Sequence, residues 1–227
     1  MANKEEIKIL ESAEALQEKL NKTQAFLENN KKIVSAVLGG IVGIIATIVG
    51  YNWYVQQQNE EAENQLFPAI FYLEKDSLNK ALYGDNNTTD GFVAIAENYS
   101  STRAGNLANF YAGFIFLKKG EFDKAIQYLK EFDANDLLVQ ARAYCLIGDA
   151  YMEKKEYQNA ASFYEKAASY KPTEEFTPIY LLKLGLAYEA QNNLEKANQA
   201  YTRIIEEFEN SPEVEKAKKS RARNGMF

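Results

Sequence analysis

From Ile33 to Val55 the chain reads IVSAVLGGIVGIIATIVGYNWYV without one charged side chain, and the next charge is Glu60. As a helix rising about 1.5 Å per residue, this run covers roughly 30 Å, the thickness of a bilayer hydrocarbon core. Ile and Val dominate it, but strands usually end within about 8 residues. A buried core helix would show a polar stripe, and none appears before the C-terminal edge of this one. Residues 33–55 are therefore expected to form a transmembrane helix.

The flanks predict its orientation. Lys31 and Lys32 abut its start, whereas Glu60, Glu61 and Glu63 follow it and the first cation beyond is Lys75. The positive-inside rule then places the N-terminus in the cytoplasm and the C-terminal region outside, with Tyr51, Trp53 and Tyr54 as an aromatic belt. A cleaved signal peptide is disfavoured, because the preceding arm is long and acidic and no small-x-small site follows the run. No cysteine near that edge supplies a lipoprotein signal. Gly39 and Gly43 form a GxxxG pair, and Ala36 with Gly40 and Ala46 with Gly50 repeat the spacing. Ala36, Gly39, Gly40 and Gly43 are thus candidate residues for close packing against another membrane helix.

The remaining composition excludes several classes of chemistry. The chain of 227 residues has a net charge of −6, which disfavours nucleic acid as a partner. It has no histidine, the commonest general base and zinc ligand. Its single Cys145 cannot close an intramolecular disulfide, so packing alone must hold the fold. Few Pro and Gly residues and abundant Ala, Glu, Lys, Leu and Tyr suit an all-α chain. No phosphate-binding loop or metal-ligand spacing occurs, no cofactor is expected, and the scattered carboxylates suit solvated helix faces better than acid–base catalysis.

Residues 1–32 predict an amphipathic helical arm. Ile9, Ala13, Leu16, Leu20, Thr23 and Leu27 alternate four and three apart, with Glu and Lys elsewhere. The arm is read as a helix running into the span, or as a short coiled coil or docking helix.

The region beyond the span repeats. GEFDKA from Gly120, KEYQNA from Lys155 and NNLEKA from Asn192 each follow an aromatic-rich helix and open a second one. Gly113, Gly148 and Gly185 lie in the first helices, and Ala125, Ala160 and Ala197 in the second. Small residues at such positions let two helices approach, and aromatic side chains fill the space beside them. These features resemble the tetratricopeptide repeat, W-x2-L-G-x2-Y then A-x3-F then P, with a period of about 34 residues. The second unit fits best; the first has Asn109 at the large-residue position.

Residues 106–210 are thus expected to hold three such repeats. Residues 56–105 are read as a juxtamembrane helix from Glu60 to Tyr83, kinked or started at Pro68, followed by the turn cluster GDNNTTDG and a degenerate half-repeat. Residues 211–227 are read as a capping helix, with Ser211 as N-cap, Pro212 at its first position and a basic, solvating body. The predicted fold class is all-α: an N-terminal helix, one transmembrane helix and a tetratricopeptide-type α-solenoid with capping helices.

In that register the first helix of each pair lines a concave groove. The groove residues are then Leu107, Phe110, Phe114 and Leu117, followed by Arg142, Cys145, Asp149 and Met152, and finally Ile179, Leu182, Leu186 and Glu189. Cys145 also reads as a small buried core residue. An apolar groove of this kind implies a partner helix or extended polypeptide, or a covering segment of the same chain, either Glu60–Tyr83 or the C-terminal helix. Asp149 is expected to repel a peptide carboxylate.

The arm, the span and the outward repeat region together resemble the ancillary SecYEG translocon subunit family (YfgM-like) of bacteria. LFPAIFYLEKDSLNKAL and NYSSTRAGNLANFYAGF add to that likeness beyond the generic repeat. The resemblance implies a non-enzymatic, single-pass inner-membrane protein with a periplasmic C-terminal domain. It implies as partners the SecYEG-type translocon, a membrane-anchored periplasmic PpiD-like chaperone and translocating polypeptides. A scaffold for cell-envelope assembly, unconnected to the translocon, is the competing reading.

Overall fold

The computed structural model describes residues 4–85 and 89–225, with side chains described from residue 15 onward. The side chains of Ile9 and Ala13 of the expected heptad, and residues 86–88 of the turn cluster, lie outside what is described. The chain divides into two compact units, residues 1–54 and 55–227.

The first unit holds α1 (Lys4–Asn29) and the start of α2 (Lys31–Glu74). Leu16, Leu20 and Leu27 are exposed on α1. Helix α2 contains the long apolar run, and none of its apolar window is buried among the described residues. By length and composition it can cross a membrane.

The second unit is built of helices: the end of α2, α3 (Leu78–Tyr83), α4 (Phe92–Asn98), α5 (Arg103–Lys118), α6 (Phe122–Glu131), α7 (Val139–Glu153), α8 (Tyr157–Ser169), α9 (Thr177–Ala190), α10 (Leu194–Glu207) and α11 (Glu213–Arg223). No strand occurs among the described residues, and the one isolated β-bridge pairs Asp85 with Thr89. Helices α5–α6, α7–α8 and α9–α10 form three successive hairpins. Each first helix also packs on the preceding second helix, so the hairpins stack.

The sequence explains the closeness of each hairpin. A Cβ placed on Gly148 would stand 2.6 Å from Cε1 of Tyr164, and one on Gly113 would stand 2.5 Å from Cγ of Leu129. Gly185 faces Tyr201 in the same way. Ala125, Ala160 and Ala197 seal the second helices, each with no exposed surface.

The turns are equally regular. Gly120, Lys155 and Asn192 take positive φ of 75°, 59° and 57°. In each turn that residue's amide and the next one donate to carbonyls in the last turn of the first helix, as in Gly120→Leu117 (3.0 Å) and Glu121→Phe116 (2.9 Å). This is the Schellman arrangement, which satisfies carbonyls the helix leaves orphaned.

The same turn occurs once more, ahead of the first expected repeat. Asp76 takes φ of 54°, and its amide and that of Ser77 donate to Leu73 (2.9 Å) and Tyr72 (2.8 Å). This break corrects the expectation of one helix from Glu60 to Tyr83. The helical segment ends at Glu74, because Asp tolerates the left-handed region that stops the helix. Pro68 neither starts nor ends α2 but lies inside it, beside exposed Phe67. Ala69 and Ala81, 1% and 0% exposed, occupy the small-residue positions of the hairpins, so the end of α2 with α3 repeats the hairpin in shortened form.

At the other end α11 packs on α10 and α9. Its helix starts at Glu213, one residue later than expected, and the Ser211 hydroxyl accepts from the Glu213 amide (3.2 Å).

Candidate functional site

The first helices of the three hairpins bring two hollows to one face. The larger is a cleft of about 640 Å³ toward the C-terminal ends of α5, α7 and α9. Leu117, Asp149, Met152 and Leu186 line it, together with Phe122, Tyr164 and Lys183. The smaller, of about 250 Å³, lies toward the N-terminal ends of the same helices. Leu107, Phe110 and Arg142 line it, joined by Tyr111, Leu138, Val139, Phe176 and Tyr180.

Seven of the residues expected in the groove therefore line one hollow or the other. Phe114, Ile179 and Leu182 are half-buried and line neither; Phe114 wedges between two core clusters. Cys145 has no exposed surface, and burial pushes its thiol up to about 12, with the Asp149 carboxylate adding to the shift. It belongs to the core and is no part of an accessible lining. Glu189 also departs from the expected lining. Its carboxylate accepts from Arg223 Nη2 (2.7 Å) and Asn224 Nδ2 (2.9 Å), and so fastens the C-terminal helix.

Asp149 is not the isolated charge the sequence implied. It accepts from the Tyr164 hydroxyl (2.7 Å) and from Lys183 Nζ (2.6 Å), joining α7, α8 and α9 at the floor of the larger cleft. Its repulsion of an incoming carboxylate is thereby offset by the adjacent ammonium. Burial, then the Asp149 charge, raises the Tyr164 hydroxyl far above its usual range, so it remains a hydrogen-bond donor. Tyr164 thus does more than fill space, and Lys183 is invisible to sequence reasoning, since a lone lysine on a helix face carries no signal by itself.

Arg142 contrasts with this network. It is exposed beside Tyr180, whose own hydroxyl is raised to about 12, by burial first. Among the described residues no carboxylate pairs with its guanidinium. At the start of α7 the amides of Leu138 and Val139 both donate to Oδ1 of Asp136.

In the first unit Ala36, Gly39, Gly40 and Gly43 are all exposed on α2. A Cβ on any of the three glycines meets nothing within 4 Å. Among the described residues no group of three or more His, Cys, Asp or Glu side chains is placed to hold a metal.

Tetratricopeptide repeat models match residues 141–174 and 180–211. These segments cover α8, α10 and most of α7 and α9, so the hairpin stack is an all-α solenoid of tetratricopeptide type. The chain is also 33% identical over 117 residues to "Uncharacterized protein ycf37" of Guillardia theta. That similarity takes in 50% of this chain and 64% of the Guillardia theta protein, just under two thirds of its length.

Proposed function

We propose that this protein is a membrane-anchored protein-interaction module, held by α2 with its N-terminus cytoplasmic and its repeat domain on the opposite, periplasmic side of a bacterial inner membrane. In this reading it associates with a SecYEG-type translocon beside a PpiD-like chaperone and helps hand emerging polypeptides onward. Its parts are the arm 1–32, the span 33–55, the juxtamembrane segment 56–105, the repeats 106–210 and the cap 211–227. The observation behind the reading is the apolar face of the stacked first helices, where Leu186 keeps 41% of its surface and Leu138 45%. Apolar surface left open between aromatic side chains suits a segment of unfolded or extended polypeptide.

Affinity purification of the full-length protein in mild detergent tests it, with partners identified by mass spectrometry. Co-purification of the secretion channel and a periplasmic isomerase-like chaperone is expected. Recovery of envelope-assembly proteins without the channel would replace this reading with the scaffold one.

A further inference from the structure

The smaller hollow differs from the cleft beside it in its electrostatics. At the floor of the cleft Lys183 is paired with Asp149 at 2.6 Å. In the hollow, Arg142 stands exposed among aromatic side chains with no carboxylate paired to it among the described residues. The first turn of α9 opens on the same hollow through Phe176 and Tyr180 and adds positive potential there, whereas the Asp136 carboxylate offsets that of the α7 N-terminus. A cation at the rim of an aromatic pocket is complementary to an acidic group carried next to a large apolar side chain.

Resting on the interaction-module reading above, we propose that this hollow selects internal polypeptide segments in which an aromatic residue adjoins an Asp or Glu. The ring enters between Phe110, Phe176 and Tyr180, and the side-chain carboxylate pairs with the Arg142 guanidinium. A free C-terminal carboxylate fits less well. Capture of a chain end relies on a nest of unoccupied backbone amides, and two of those opening α7, at Leu138 and Val139, are spent on Asp136, whose carboxylate repels a second one beside it. A planar guanidinium, in contrast, takes a side-chain carboxylate through two parallel hydrogen bonds.

The test uses full-length protein in detergent micelles and fluorescein-labelled peptides followed by anisotropy. The probe is Ser-Gly-Phe-Glu-Gly-Ser with an amidated end. Companion peptides carry Gln for Glu, carry Gly for Phe, or end in a free-acid Phe. A carboxymethylated, permanently unfolded protein serves as the general substrate. The Phe-Glu peptide is expected to bind about tenfold tighter than its Gln version, the scale of one charge-assisted hydrogen bond. Arg142→Gln, at an exposed site, is expected to abolish that difference. Phe176→Ala should weaken both.

Equal binding of the Glu and Gln peptides, or a preference that survives Arg142→Gln, overturns the inference. Tighter binding of the free-acid peptide overturns it in favour of a chain terminus. Self-association that blocks the probe and vanishes in Arg142→Gln gives the hollow to a second copy and also overturns it. If the unfolded protein binds while the peptides show no acid preference, this inference fails and the interaction-module reading stands. If neither binds, both fail.

Discussion

Gly148 lies against the ring of Tyr164, where a Cβ would come within 2.6 Å of the ring carbon Cε1. Tyr164 is 2% exposed and its hydroxyl is anchored on Asp149, so the ring cannot swing away without breaking that hydrogen bond. The small residue on one helix and the large one on its neighbour are thus one device. Gly148→Ala is expected to destabilise the domain by about 1–3 kcal/mol, the usual range for overpacking a filled core. In a Tyr164→Ala background, where the ring is gone, the same Gly148→Ala change should cost much less. Urea unfolding of the single and double variants measures both; additive losses would mean that the two positions do not share one space.

The left-handed turn offers the opposite sign. Lys155 holds φ of 59° where the preceding hairpin has Gly120. A residue with a Cβ in that region costs roughly 1–2 kcal/mol relative to right-handed backbone, a penalty glycine avoids. Lys155→Gly is therefore expected to raise stability by about 0.5–1 kcal/mol, after the loss of unfolded-state stiffness. Gly120→Ala should lower it. A drop in the thermal midpoint of Lys155→Gly would count against the turn as drawn.

Asp149 joins three helices, and its removal leaves Tyr164 and Lys183 without their acceptor. Asp149→Ala is expected to cost about 1–3 kcal/mol, the penalty for partly buried polar groups left unsatisfied. Asp149→Asn should cost less, since its carbonyl still accepts from the tyrosine. Equal losses in the two variants would show that packing, not hydrogen bonding, is what this side chain supplies.

These repeats were legible because their signals are local and recur. Gly148, Tyr164 and Ala160 recur as Gly185, Tyr201 and Ala197, and each set reports one helix–helix contact. The shortened hairpin ahead of them was not legible, because Ala69 replaces the glycine and Asp76 replaces Gly120 at the turn. The helix break was hidden for the same reason: an aspartate in the left-handed region reads as an ordinary charged helix residue. Asp76-x-Leu78-x-x-Ala81 aligned with Gly120-x-Phe122-x-x-Ala125 was the available signal. Glu189 was placed by helical period alone, which gives a face but not the tertiary neighbours Arg223 and Asn224. That no carboxylate among the described residues pairs with Arg142 likewise depends on what does not approach it, which spacing cannot reveal.

Acid sensitivity follows from the turns. Glu121 is held below the ordinary carboxylate range by hydrogen bonds from Lys124 and then Lys119, and Glu156 by Lys154 and then Asn159. Their folded-state pKa values lie below the unfolded ones, so their contribution is present above an unfolded value of about 4.3. It is lost as the pH falls through the lower folded values. The thermal midpoint is expected to decline below about pH 4.5, and Glu121→Gln with Glu156→Gln to decline less steeply. An unchanged slope in the double variant would assign the acid loss to other carboxylates.

The account's central claim is that the face formed by α5, α7 and α9 receives polypeptide partners at a membrane. A photoreactive benzophenone side chain placed at Leu107 or Leu186, inside the hollows, tests this in cells; Ser162, exposed on α8, is the reference position. Adducts with the secretion channel, its chaperone or passing polypeptides are expected from Leu107 and Leu186, and few from Ser162. Adducts concentrated at Ser162, with none from the two groove positions, would contradict it.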